Sequence, residues 1–227
     1  AYGIPADRAF SNWEDLLARP QMADAALICT LDDMHTEPTL AALKQGYHVL
    51  LEKPMSNSET ECRAIAAAAE EAQRVLSVCH VLRYTPFYRT IKQLIDDGQV
   101  GEVASLSQVE NVGYWHHAHS FVRGNWRCSE QTSPMILQKS CHDMDILLWL
   151  SGQRCTRVSS FGSLHHFDAA HAPQDAPLRC TDGCPHSVVC PYDAGKIYLT
   201  DNVGWPTEML TTDLSREGRL KALREGP

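Results

Sequence analysis

Three short apolar runs, separated by helix-forming stretches, confine this chain to a narrow choice of folds. Ala25–Cys29 (AALIC), Tyr47–Leu51 (YHVLL) and Val75–Cys79 (VLSVC) have strand length and mainly apolar content. A continuous apolar run of this kind predicts a strand buried on both faces. Between the first two, a helix is expected over Glu37 to Gln45, closed by Gly46 as a C-cap. Between the second and third, Ser56 and Ser58 are candidate N-caps for an Ala/Glu-rich helix reaching about Arg74. Strand, helix, strand, helix, strand at this spacing predicts βαβ units on a parallel sheet.

Ligands of such sheets bind beyond the carboxyl ends of the strands. All three ends carry polar groups here: Thr30, Asp32 and His35 after the first, Glu52 and Lys53 after the second, His80 and Arg83 after the third. A single Glu-Lys pair at a strand end would read as a surface ion pair. Three polar ends in register mark a site.

After Tyr84 the pattern changes. A helix is expected from about Phe87 to Asp97, then an alternating strand over Glu102–Asn111 with one wet face. Ser133-Pro134 opens a further helix that runs to Leu150, and a strand-like stretch follows over Thr156–Ser163. The predicted fold is α/β: a parallel Rossmann-type sheet over residues 1–84, then an α+β domain with a mostly antiparallel sheet over 85–227.

The stretch KSCHDMDILLWLSG, residues 139–152, is the second informative one. In a helix His142 and Asp145 stand at i and i+3 on one face, with Gln138 a turn before. Residues 146–150 are apolar nearly all round, which predicts burial. A histidine and a carboxylate at the head of a buried helix form a candidate proton-handling pair. The plainer alternative is a core histidine satisfied by Asp145 or Asp143.

Together, HVLLEKPMS at 48–56 and CHDMDILLWLSG at 141–152 resemble the glucose–fructose oxidoreductase, inositol dehydrogenase and MocA (Gfo/Idh/MocA) family, with similarity from residue 10 to about 165. The resemblance implies NAD(P)-dependent hydride transfer to or from a sugar, polyol or related small carbonyl compound. It implies Glu52 and Lys53 at the nicotinamide ribose, with a bend at Lys53-Pro54 that is often cis in relatives. It implies His142 as the acid-base and Asp145 as a substrate or orienting residue. Thr30, Asp32 and His35 match the loop along the dinucleotide, and Arg83 and Tyr84 the segment entering the substrate domain. A homo-oligomer through the sheet of the second domain is also implied. Two departures stand out. Many relatives place an aspartate where this chain has Gln138, followed by Lys139, so a relay through Lys53 or Lys139 is an alternative. No G-x-G-x-x-G follows an opening strand, so the family's phosphate loop is expected upstream of Ala1, and the Rossmann domain here to be partial.

Cys180, Cys184 and Cys190 form a C-x3-C-x5-C pattern in a turn-rich loop, a candidate structural zinc site with Cys155 or His186 as the fourth ligand. Ordinary thiols are the alternative. Trp115 and Trp126 are candidate stacking surfaces for a sugar ring, Lys139 a candidate substrate contact, and His116, His117 and His119 a cluster that lines a pocket or a solvated loop. The net charge of -8 and pI of 5.7 argue against nucleic acid as a partner. No apolar run approaches the roughly 20 residues that cross a bilayer. Nine cysteines without an even framework predict a reducing, cytoplasmic setting, with any targeting signal upstream of Ala1. Two rival functions are a catalytically silent relative serving as a binding or assembly protein, and a glycosidase that uses NAD transiently.

Overall fold

The computed structural model describes residues 3–226. In chain order its helices are α1 Trp13–Leu17, α2 Thr36–Gln45, α3 Glu59–Ala72, α4 Pro86–Asp96, α5 Tyr114–His117, α6 Met135–Ser151, α7 Ala194–Tyr198 and α8 Arg216–Glu225. Its strands are β1 Ala25–Ile28, β2 His48–Leu51 and β3 Leu76–Val78. The chain forms two compact units. One comprises the residues up to 110 together with 129–155, the other 111–128 and the residues from 156 onward.

In the first unit the strands lie in the order β1-β2-β3, all parallel, with Ile28 opposite Leu51 and Leu51 opposite Val78. Right-handed crossovers between neighbouring parallel strands put both connecting helices on one face. There Val49 and Leu51 meet Ala42 and Leu43 of α2 and Ile65 and Ala69 of α3. Leu51, Ile65 and Leu43 are at most 1% exposed, and each such burial contributes about 1.5–3 kcal/mol. The opposite face is not covered among the described residues: Leu27 is 66% and Leu50 37% exposed. The expectation of strands buried on both faces therefore holds on one face only.

Local chemistry sets the helix ends. Gly46 closes α2 in the left-handed region at φ 97°, where a side chain would be strained. Ser58 Oγ accepts the Glu61 N–H at 3.4 Å at the start of α3. Thr85 does the same for α4, with Pro86 in the first turn. Helix α6 departs from expectation. Ser133 makes no side-chain cap; its backbone N–H instead donates to Asp32 Oδ2 at 3.0 Å.

The antiparallel sheet expected of the second domain does not form among the described residues, whose only sheet is β1-β2-β3. Segments 102–111 and 156–163 have no ladder partner. Val109 is 71%, Val158 82% and Phe161 97% exposed. Alternation prepares a strand, but a hydrogen-bonded neighbour makes one.

The second unit is held by single long side chains. Arg219, 5% exposed, donates from Nη1 to the Tyr198 and Thr200 carbonyls at 2.7 and 2.8 Å, tying α8 to the end of α7. The buried Tyr198 hydroxyl pairs with His119 Nδ1 at 2.7 Å. Arg123 donates to the Tyr192 carbonyl. At Gly124 a Cβ would overlap the His119 carbonyl oxygen, so the turn after the wide helical stretch Ala118–Arg123 excludes any larger residue.

Candidate active site

The strand register delivers Cys29, Glu52 and Cys79 side by side where the chain leaves β1, β2 and β3. Burial, then the Glu52 carboxylate, pushes the Cys79 thiol above its ordinary range. The loop after β1 is folded inward. Thr30 Oγ1 donates to the Met34 carbonyl at 3.1 Å. His35, 1% exposed, lies between the Pro54 carbonyl (Nδ1, 2.9 Å) and the Thr30 carbonyl (Nε2, 3.1 Å). Asp32, 3% exposed, holds the Ser133 N–H. These three side chains join the β1 end to the Glu52-Lys53-Pro54 turn and to the start of α6. Leu31 and Met34, 38% and 51% exposed, are what the same loop shows to solvent. The Lys53-Pro54 bond is cis.

Lys53 and α6 meet directly. Lys53 Nζ donates to the Gln138 backbone carbonyl and to its side-chain Oε1, both at 3.0 Å. Gln138 is only 6% exposed, so the ammonium is held by two neutral oxygens. Glu52 Oε2 accepts the Lys53 backbone N–H at 3.3 Å.

One turn on, His142 faces His80 edge-to-face, ring centroids 5.9 Å apart. Nδ1 of each is buried with no hydrogen-bond partner among the described residues. Burial first, then the charge of Lys53 and the neighbouring His80, pulls the His142 pKa below its ordinary value. Burial also lowers that of His80, with Asp145 opposing. Both rings are therefore neutral near pH 7.

Asp145, on the face it shares with His142, is taken by Arg83: Nε to Oδ2 at 2.7 Å and Nη2 to Oδ1 at 2.6 Å. A bidentate fork of this kind fixes orientation as well as charge. The Arg83 guanidinium also lies 5.8 Å over the Trp149 ring. Asp143, 6% exposed, accepts Gln108 Nε2 at 3.1 Å. Neither carboxylate hydrogen-bonds to His142. Burial, then Lys53, lowers the pKa of Lys139, while Glu110 opposes. Tyr84 is 72% exposed. Trp126 belongs to the second unit, beside Phe121.

The expected zinc cluster is not formed. Among the described residues no three His, Cys, Asp or Glu side chains are placed to hold a metal ion. Cys180, Cys184 and Cys190 are free thiols, and His186 Nε2 is engaged by the Gln174 carbonyl at 2.7 Å. A lysine ties the loop instead: Lys196 Nζ donates to the Val188 and Cys190 carbonyls at 2.7 and 3.0 Å. The cysteine spacing reflects a loop closed through its backbone.

Two family models match the chain. The oxidoreductase family model, NAD-binding Rossmann fold, takes in residues 1–80. The GFO/IDH/MocA C-terminal domain model takes in residues 88–199. The chain belongs to the Gfo/Idh/MocA oxidoreductase family. Inositol 2-dehydrogenase 2 of Saccharopolyspora erythraea is 30% identical over 161 residues, 70% of this chain and 41% of that protein. The 2,7-anhydro-N-acetylneuraminate hydratase of Escherichia coli is 24% identical over 193 residues, 85% of this chain and 50% of that protein. Among solved structures, an oxidoreductase domain protein from Kribbella flavida superposes with a TM-score of 0.53 at 28% identity, covering 63% of this chain and 39% of that one. The chain thus spans half or less of the length of these relatives.

Within the Gfo/Idh/MocA frame, the first unit holds a Rossmann-like parallel three-stranded sheet with its helices. Among the described residues no helix is long and apolar enough to cross a membrane. Sequence reasoning placed His80 at the site through its strand end but did not pair it with His142, and did not see Gln138 as the acceptor for Lys53. The signal for His80 was its place at the end of the third apolar run. No local signal existed for the Lys53–Gln138 bond, which joins residues 85 apart.

Proposed function

We propose that the chain carries the nicotinamide-side and substrate-side residues of an NAD(P)-dependent oxidoreductase acting on a sugar, polyol or related small carbonyl compound. The observation that carries this is the Lys53 ammonium, held at the head of α6 by both Gln138 oxygens beside the neutral His142. The residues fit the cofactor. Glu52 and Lys53 pair an acceptor with a donor suited to ribose hydroxyls, and the exposed Leu31 and Met34 offer an apolar shelf to a flat ring. When bound, NAD(P) supplies the hydride acceptor or donor. Lys53 donates a hydrogen bond to the reacting substrate oxygen, and the ammonium stabilises negative charge developing there. His142, neutral at working pH, takes the hydroxyl proton in oxidation and returns it in reduction. Asp145 acts through Arg83, fixing the helix that presents His142; Tyr84, Trp126 and Lys139 are the proposed substrate contacts, and Thr30, Asp32, His35 and Arg83 shape the cofactor side.

In this reading residues 1–84 serve the cofactor and 85–227 the substrate. Segments 102–111 and 156–163, unpaired in the single chain, become strands of a mostly antiparallel sheet when copies associate, which their exposed apolar side chains support. Nine free thiols support a reducing, cytoplasmic setting.

Lys53→Met tests the proposal. We expect kcat/KM for nicotinamide-dependent turnover to fall by about a hundredfold, ~2.7 kcal/mol, with an unchanged circular dichroism spectrum. Retention of more than about a tenth of the activity, a loss under ~1.4 kcal/mol, contradicts it. A second reading, transient oxidation that activates a sugar for elimination or hydrolysis, is favoured by similarity to the anhydro-sugar hydratase. Product release without net NAD(P)H formation would select it.

A further inference from the structure

His80 reaches the candidate site from the end of β3, and His142 from α6. Their rings meet edge-to-face with centroids 5.9 Å apart. Nδ1 of each is buried without a hydrogen-bond partner among the described residues. We propose that His80 is a second proton carrier, which passes the substrate proton between His142 and solvent.

The proposal rests on the reading of His142 as the acid-base. A neutral imidazole has one donor and one acceptor nitrogen, so it can take a proton at one and release one from the other. Nδ1 of His142 is turned into the protein, which leaves Nε2 for the substrate hydroxyl. Nε2 of His80 stands 3.9 Å from Asp145 Oδ1. A carboxylate there favours the His80 proton on Nε2 and leaves its Nδ1 as an acceptor. Donor and acceptor then belong to neighbouring rings, within the range where a proton passes directly or through one water.

The groups facing His80 suit it to carrying a proton rather than keeping one. Asp145 and His142 come from α6, Lys53 follows β2, and Arg83 lies three residues on from His80. Burial opposes the imidazolium most, Asp145 favours it, and Arg83 and Lys53 oppose it. The Arg83 fork keeps Asp145 in place. With its side chain 25% exposed, against 9% for Asp145, His80 is also the member of this group that reaches solvent. In oxidation the substrate C–H leaves as hydride to NAD(P)⁺, and the O–H proton passes to His142 Nε2. His142 gives its Nδ1 proton to His80 Nδ1, and His80 releases its Nε2 proton to water. Proton exchange with solvent resets both tautomers, and reduction runs the path backwards.

Two readouts test the relay. The first is a ring titration of ¹⁵N-histidine-labelled wild type and His80→Gln, which needs no substrate. Neutral wild-type His80 is expected to carry its proton on Nε2. The His142 midpoint should rise in His80→Gln, because one of the charges that lowers it is gone. The second is turnover of NAD⁺ with myo-inositol and with D-glucose. In His80→Ala, kcat should fall by about a hundredfold in dilute buffer, with KM for NAD⁺ unchanged. Added imidazole should restore much of that loss while leaving wild type unaffected, which a purely structural His80 would not allow. A neutral His80 protonated on Nδ1, a His142 midpoint that stays put, or a His80→Ala rate that imidazole does not raise each overturns the relay. Wild type inert on both probes speaks against the oxidoreductase reading, and the titration then decides on the ring pair. Should a variant fail to fold, the wild-type His80 tautomer decides.

Discussion

The two units of this chain keep their shapes by different means. The first is a layer of helices on a parallel sheet, where Val49, Leu51, Ile65 and Leu43 exclude water together. The second has no strand among its described residues and depends on individual side chains that reach backbone carbonyls: Arg219 on Tyr198 and Thr200, Lys196 on Val188 and Cys190. Apolar burial is spread over many contacts and repeats with the chain's period. A guanidinium on two carbonyls is local and has no period. The difference teaches where each unit should break.

The largest stability effect is expected in the first unit. Ile65→Ala leaves a cavity at a fully buried site and should cost about 2–5 kcal/mol in urea unfolding. A change confined to an exposed loop residue of the second unit, such as Val188→Ala at 84% exposure, should stay within ~0.5 kcal/mol. Equal costs would mean that the loop is packed after all.

Next comes Arg219→Met, which strands two carbonyls at the end of α7. A cost of about 1–3 kcal/mol is expected, read as faster proteolysis of the residues from 156 onward. Unchanged proteolysis would remove Arg219 as the anchor. Smaller still is Lys196→Ala: its ammonium is exposed, so about 0.5–1 kcal/mol is expected. Because that ammonium, not a metal, closes the cysteine loop, a chelator should leave the melting temperature unchanged; a chelator-induced fall would reinstate a metal.

Acid should reach both units by the same route. His80 and His142 in the first, and His117 and His119 in the second, all have pKa values lowered, chiefly by burial. The unfolded chain therefore binds more protons, and stability rises with pH across the window. The contribution is complete above the unfolded value near 6.5 and is lost as pH falls through it toward the lowered folded values. Melting temperature should fall between about pH 7 and 5; a flat profile would contradict the burial of these rings.

The same contrast explains what could be read from residues alone. The three strands, α2, α3, α4 and α6 were legible because apolar spacing, Gly46, Ser58 and Thr85-Pro86 are local signals. Lys53 and His142 stood out as candidates for chemistry, but the bond from Lys53 to Gln138 on the helix that carries His142 did not, since 85 residues separate the partners and only the folded chain joins them. Arg83 and Asp145, 62 residues apart, are the same case. Asp32 and His35 looked like groups facing a ligand because they follow a strand end. The turn to Pro54 and the approach of Ser133 draw both inward. Segment 102–111 alternates like a strand and 156–163 is strand-like, yet neither finds a ladder neighbour among the described residues, which local pattern cannot foretell.

The central claim is that a neutral His142, beside a Lys53 held by two uncharged oxygens, handles the substrate proton. The pH dependence of kcat/KM for wild type and His142→Asn tests it most directly. The wild type should lose activity as pH falls, with a midpoint below the ordinary histidine value of about 6.5. His142→Asn should be slower and should lack that limb. An identical acidic limb in the variant would contradict the claim and move the proton to another group.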